Sequence, residues 1–352
     1  MFNIKQLTRE NIINLQPYSS ARDEFNGVAN VFLDANENSL GSPLDDEYNR
    51  YPDPYQLEVK QTVAGLKNIP VENIFLGNGS DECIDLLYRC FCNPAKDNVV
   101  ICPPTYGMYE VSGSINDIEI RKAVLQENFQ LDLKAISSQA DRNTKIIWIC
   151  SPNNPTGNSI DQEDIYFLLK TFKGLIVIDE AYIDFSAGAS FLNSLKSYPN
   201  LVVLQTLSKA WGLAALRLGM AFASPEIITV LNKVKPPYNI SGATQKIVLE
   251  ALQQSENVKE KIKELVSLRS SLQQELLKIS FIEKIHSSDA NFLLVRMVDP
   301  ESIYHYLVTN GIVVRNRNSI ILCEGCLRIT IGTKQENGLL IKTLINYSKQ
   351  VS

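Results

Sequence analysis

Histidine is nearly absent: His286 and His305 are the only two in 352 residues. That scarcity argues against a histidine-built metal centre. The seven cysteines (Cys83, Cys90, Cys92, Cys102, Cys150, Cys323 and Cys326) are odd in number and scattered, which fits reduced thiols rather than a disulfide framework. Cys323-Glu-Gly-Cys326 has zinc or redox spacing, but no second such pair exists, so no metal is expected. Long apolar runs are also missing. The longest, such as Leu175 to Ile178 and Leu201 to Leu204, are strand-sized, whereas a spanning helix needs about 20 apolar residues. The segment MFNIKQLTRENIINLQPYSS mixes charges and Asn throughout and has no apolar signal core, so a cytoplasmic location is expected. There is no basic run either, and 34 basic against 39 acidic residues leave a net charge of −5. That balance argues against nucleic acid as the main partner. No GxxxxGK[ST] occurs, which removes a Walker-type nucleotide site.

What is present is an ordinary globular composition, 45% hydrophobic and 21% charged, on a chain long enough for a large domain plus a smaller one. The middle of the chain alternates apolar runs with amphipathic stretches, which predicts an α/β fold whose central sheet is mainly parallel and flanked by helices. Five runs end in polar or turn residues: NIFL before Gly77, DNVVIC before Pro103, KIIWIC before Ser151, LIVI before Asp179 and LVVL before Gln205. Ligands of open α/β sheets gather at such carboxyl ends. The expected organisation is an N-terminal arm over 1–45, a large domain over 46–240, a long linking helix over 241–280 and a small α+β domain over 281–352. The helix expectation rests on a stretch rich in Glu, Lys, Leu and Gln at helical spacing.

Five motifs carry candidate chemistry, and each also has a plain structural reading. In QTLSKAWGL, Lys209 follows a core strand. Lysines avoid burial, and a desolvated amine is an activated nucleophile suited to Schiff-base chemistry; the plain reading is a surface turn. Thr206, Ser208 and Arg217 nearby could hold a phosphate. In GLIVIDEAY, Asp179 closes an apolar strand. A buried carboxylate needs a partner, such as a protonated ring nitrogen, with Tyr182 placed to donate to a ring oxygen; the plain reading is a helix N-cap. SPNNPTG forces a rigid turn that presents Asn154. LGNGSDE feeds a helix whose free N–H groups at Ser80 and Asp81 could cradle a phosphate, or form a simple cap. PPTYGMY sets Tyr106 past a strand, where it could stack on a flat ring or serve as core.

In their order along the chain these motifs resemble fold-type-I pyridoxal-phosphate aminotransferases. SPNNPTG, VIDEAY, TLSKAWGLAALRLG and LRITIG carry the resemblance, which covers nearly the whole chain. PYSSAR, LDANEN and RYPDP near the N-terminus are similar to the branch that acts on histidinol phosphate. The resemblance implies pyridoxal 5′-phosphate on Lys209, which also shuttles the proton. It implies Asp179 at the ring nitrogen, Tyr182 and Asn154 at the ring oxygen, and Tyr106 against the ring face. Ser80, Asp81, Thr206, Ser208 and Arg217 would hold the cofactor phosphate. Tyr51 would reach it from the partner subunit, making a homodimer with shared sites. Tyr18, Asn36, Arg315 and Arg328 would bind substrate: the phosphate of histidinol phosphate and, at Arg328, the carboxylate of glutamate. Trp211 and Ala215 depart from the family's usual Phe and Gly without removing a catalytic group.

The implied activity is ping-pong transamination between L-histidinol phosphate and 2-oxoglutarate. A threonine-phosphate decarboxylase or an aromatic-amino-acid aminotransferase would share every cofactor residue. A non-enzymatic cofactor-binding regulator would need a DNA-binding segment, and no basic stretch of that kind is present.

Overall fold

The computed structural model describes residues 3–19, 29–44 and 48–351; Ser20, Ala21 and Arg22 of the PYSSAR motif lie outside them. A seven-stranded sheet is built from β1 (Ile74–Asn78), β2 (Asn98–Ile101), β3 (Glu119–Lys122), β4 (Thr144–Cys150), β5 (Leu175–Asp179), β6 (Leu201–Thr206) and β7 (Leu218–Ala223), in the order β1-β7-β6-β5-β4-β2-β3. Pairs β2–β3, β2–β4, β4–β5 and β5–β6 are parallel. Only β7 runs the other way, antiparallel to both β1 and β6.

The near-continuous apolar runs of β4, β5 and β6 follow from this placement, because helices cover both faces of a parallel sheet. Successive side chains point to opposite faces. Ile147, Ile149, Ile176, Ile178, Leu201 and Val203 accordingly join one core cluster. Ile146, Trp148, Val177, Val202 and Leu204 join the cluster on the other face. Each buried aliphatic side chain contributes about 1.5–3 kcal/mol, so these three strands anchor the sheet.

A second, antiparallel sheet is formed by β8 (Ile282–Ile285), β9 (Phe292–Met297), β10 (Arg315–Asn316) and β11 (Cys326–Thr330), in the order β10-β11-β9-β8. Leu272 and Leu276 from the helix before it, Ile303 and Leu307 from helix Pro300–Thr309, and Leu340 and Leu344 from helix Lys334–Val351 fill its core.

The single helix expected over 241–280 is two helices, Gly242–Leu252 and Ser255–Leu276. No Gly or Pro interrupts the Gln253-Gln254 junction. The cause is tertiary: Val248 and Leu252 bury into the core of the large sheet, whereas Leu272 and Leu276 bury into that of the small one. Each helix follows its own core. Among the described residues no helix is long and apolar enough to cross a membrane.

One glycine has a clear steric duty. A Cβ on Gly219, in β7, would lie 2.1 Å from the Ser80 backbone nitrogen and 2.3 Å from the Gly79 carbonyl carbon. Both are backbone atoms, so relief requires moving β1 or the helix that follows. Gly219→Ala is expected to destabilise the fold by about 1–3 kcal/mol; an unchanged urea midpoint would contradict that close approach.

Candidate active site

One edge of the large sheet gathers the motif residues. Strands β1, β2, β4, β5 and β6 end there, and a cavity of about 530 Å³ opens beyond them. Because β7 runs in reverse, the residue preceding it, Arg217, reaches the same edge. The cavity is lined by Ser80 and Asp81 after β1, Tyr106 after β2, Asn154 after β4, Asp179 and Tyr182 at and after β5, and Thr206, Ser208 and Lys209 at and after β6.

Asp179 forms the floor and is 3% exposed. Its Oδ2 accepts from the Tyr109 hydroxyl at 2.7 Å and its Oδ1 from the Ala181 N–H at 3.0 Å. Burial pushes its pKa up, and those two hydrogen bonds pull it back. Tyr109 is fully buried, stacked on Trp148 at 5.0 Å and meeting Tyr106 edge-on at 5.6 Å. Sequence reading stopped at Tyr106. Its +3 neighbour Tyr109, on the first turn of helix Met108–Ile115, is the one that touches the acid, and a one-turn spacing was the available signal.

The Lys209 amine lies 5.6 Å from the centroid of the Tyr182 ring. Burial lowers its pKa, and Arg328 adds to the lowering, while Asp179 opposes it. Tyr182 is itself buried against Phe292, edge to face at 5.2 Å.

The phosphate-sized corner is built from backbone and small side chains. Helix Ser80–Phe91 starts there with no side-chain cap, leaving first-turn N–H groups free for an anion. The N–H of Gly79 donates to the Arg217 carbonyl at 2.7 Å. Arg217 adopts a left-handed φ of 53°, uncommon for a residue with a Cβ, and its Nη2 lies 3.3 Å from Asp81 Oδ2. The other oxygen of Asp81 accepts from the Tyr106 hydroxyl at 3.1 Å. Thr206 Oγ1 lies 3.0 Å from Ser208 Oγ and accepts from the Ser208 N–H at 3.1 Å.

At the far end of the cavity, β10 and β11 bring in Arg315 and Arg328, which face each other in the ladder. Arg328 donates through Nη1 to Asn154 Oδ1 and lies 5.1 Å over the Phe292 ring. Arg317, which sequence reading passed over, lines the same cavity; the alternation of a strand beyond Arg315 was its signal.

Three expected residues are not brought to this cavity by their own chain. Tyr18 is exposed and lines a separate cavity with Pro54, Tyr55, Lys233 and Lys235. Tyr51 stacks on Tyr238 at 4.5 Å, and its N–H donates to Glu37 Oε1 at 2.7 Å. Asn36 is exposed with a left-handed φ of 53°. The seven cysteines are free and buried, and burial raises the Cys323 thiol to about 12. Among the described residues no group of three or more His, Cys, Asp or Glu is placed to hold a metal.

The profile of the family "Aminotransferase class I and II" matches residues 12–344. The chain belongs to that family. It is 54% identical over 346 residues to a histidinol-phosphate aminotransferase of Parabacteroides distasonis, covering 98% of this chain and 99% of that protein. It is 52% identical to one of Cytophaga hutchinsonii, with the same coverage. Among solved structures, the histidinol-phosphate aminotransferase from Clostridium acetobutylicum superposes with a TM-score of 0.79 at 26% identity, covering 86% of this chain and 92% of that one.

The cavity of this aminotransferase fits pyridoxal phosphate on its own geometry. A buried carboxylate on the floor has no cationic partner in contact with it among the described residues. An uncapped helix end, two hydroxyls and an arginine converge at one corner. An amine open to the cavity, its pKa lowered by partial desolvation, stands between them.

Two outcomes follow. Tyr109→Phe leaves Asp179 Oδ2 without its donor and is expected to cost the cofactor-free protein about 1–3 kcal/mol, read from urea unfolding. The lowered pKa of Lys209 means its free amine appears at lower pH than for an ordinary lysine at 10.5. The rate of pyridoxal-phosphate capture by cofactor-free protein should therefore rise to its plateau with a midpoint below that value; a midpoint at or above it would refute the desolvation argument.

Proposed function

We propose that this chain is a histidinol-phosphate aminotransferase, which moves an amino group between L-histidinol phosphate and 2-oxoglutarate in two half-reactions with pyridoxal phosphate. The observation that carries the reading is one cavity with two chemically distinct ends. Lys209 and the buried Asp179 stand at the floor, and arginines that have no carboxylate ion pair among the described residues stand at the mouth. Relatives above 50% identity over nearly the full chain carry that activity in their names.

In this reading Asp179 holds a proton on the ring nitrogen, Tyr182 and Asn154 bind the ring oxygen, and Tyr106 covers the ring. Ser80, Asp81, Thr206, Ser208 and Arg217 hold the cofactor phosphate. Bound in this way, the pyridoxal ring supplies a sink for the electron pair released at the amine-bearing carbon. Lys209 would be the attachment point and would then move the proton at that carbon; burial lowers its pKa, which favours the free amine that such a base needs. Arg315 and Arg328 bind the substrate's anionic end, because guanidinium forks match phosphate and carboxylate oxygens.

The same reading includes a homodimer in the cytoplasm, with Tyr51 of the partner subunit reaching the cofactor phosphate. The exposure of Tyr51, and its place away from its own chain's cavity, are consistent with that. Tyr18 and Asn36 are assigned to the substrate side on the motif resemblance. The division into an arm (1–45), a large domain (46–240), a linking helical segment (241–280) and a small domain (281–352) is also kept.

The test is an absorbance spectrum of the purified protein before and after L-histidinol phosphate. The band of lysine-bound cofactor should give way to a pyridoxamine band and return on adding 2-oxoglutarate. A cofactor band indifferent to histidinol phosphate, with carbon dioxide released from O-phosphothreonine, would make the chain a decarboxylase instead. Lys209→Ala should lower turnover by about 10²–10⁴-fold.

A further inference from the structure

Three arginines share one face of the β10–β11 ribbon. Arg315 pairs with Arg328 across the ladder, and partners directly opposite point to the same side. The N–H of Arg317 donates to the Cys326 carbonyl at 3.0 Å, so the ribbon continues one step further. Residues two apart on a strand face the same way. All three side chains line the one cavity.

Their polar atoms are poorly satisfied. Among the described residues Arg317 Nη1 has only the neighbouring Asn316 carbonyl, at 3.5 Å. The Nε atoms of Arg317 and Arg328 are buried without an acceptor. Among the described residues no carboxylate forms an ion pair with any of the three. Burial and mutual repulsion lower the pKa of Arg317, with Arg328 the larger neighbour contribution and Arg315 next, yet a guanidinium stays charged. Converging cations with orphaned donors are costly unless an anion fills the space between them.

We propose that Arg317 is a third anion-holding residue, gripping the substrate's phosphate with Arg315 and Arg328 and so favouring a dianionic group over a single carboxylate at that end of the cavity. This rests on the phosphorylated substrate assigned above. A phosphate monoester carries about −1.5 to −2 charges at neutral pH, against one for a carboxylate. Coulomb attraction scales with the product of charges. Removing one of three cations therefore weakens phosphate binding about twice as much, on a logarithmic scale, as carboxylate binding.

The experiment uses the cofactor-loaded protein and inorganic phosphate as probe. Calorimetric titration of Arg317→Gln should show phosphate affinity reduced by about ten- to a hundredfold, with the visible cofactor band retained. KM for histidinol phosphate should rise by a similar factor, and KM for 2-oxoglutarate by no more than about its square root. Unchanged phosphate affinity, or equal losses for both substrates, overturns the proposal. Should that variant fail to load cofactor, the wild-type protein decides: phosphate should protect Arg317 from phenylglyoxal, read by peptide mass mapping, and labelling of Arg317 unaffected by phosphate overturns it. A wild-type protein inert to histidinol phosphate would sink the proposed activity instead, while the titration and labelling still decide Arg317.

Discussion

A carboxylate buried at the end of an apolar strand is the constraint around which the site is arranged. Asp179 comes last in β5, which is central to the sheet and buried along its whole length. Leaving such a group in water would cost nothing; burying it requires donors. The fold supplies two, the Tyr109 hydroxyl and the Ala181 N–H, and both act on an acid whose ionised form burial disfavours. Tyr109 in turn is fixed by its stack on Trp148, a β4 residue. The orientation of the acid is thus tied to the packing of two strands and a helix. A cationic ring nitrogen is the partner that this arrangement leaves unsupplied.

At the opposite end the charges reverse. Arg315, Arg317 and Arg328 come from the small sheet, while Asp179 and Lys209 come from the large one. The two sets meet through Arg328, which reaches Asn154 after β4 and covers Phe292. In the proposed reading the cofactor's basic ring nitrogen is matched to the acid at one end, and the substrate's anionic group to the arginines at the other. The cavity therefore has a polarity, set by two separate cores.

Much of this was legible in residues whose environment is decided locally. Five apolar runs ending in polar turns marked β1, β2, β4, β5 and β6 and the edge where Lys209, Asp179 and Asn154 meet, because fully buried strands cannot hide their composition; β3, EIRK, is partly exposed and offered no such run. β7 was less visible: LGMAFA carries a glycine and two alanines in place of branched residues, and its reversed direction depends on pairing with β1, which lies far away in sequence. The break at Gln253-Gln254 had no local cause and could not be read. Tyr109 lay within PPTYGMY and Arg317 two residues past Arg315, at helix and strand spacing from a named residue, but contact with Asp179 or the cavity is a property of packing. Tyr18, Asn36 and Tyr51 were chosen by motif resemblance, and the fold of a single chain leaves them outside the cavity.

The reversed strand has a further consequence, for the order in which the molecule assembles. β1 and β6 are not neighbours; β7 is wedged between them. The corner made by Gly79, Ser80 and Arg217 exists only where β7 pairs with β1, which joins segments about 140 residues apart in the chain. Such distant pairings carry a large loop-closure cost and tend to form slowly. The phosphate corner therefore depends on a non-local pairing and cannot exist before β7 has joined β1. Uptake of a phosphorylated ligand there requires that the central sheet has already closed, so a loaded protein is one whose β1–β7 pairing is complete.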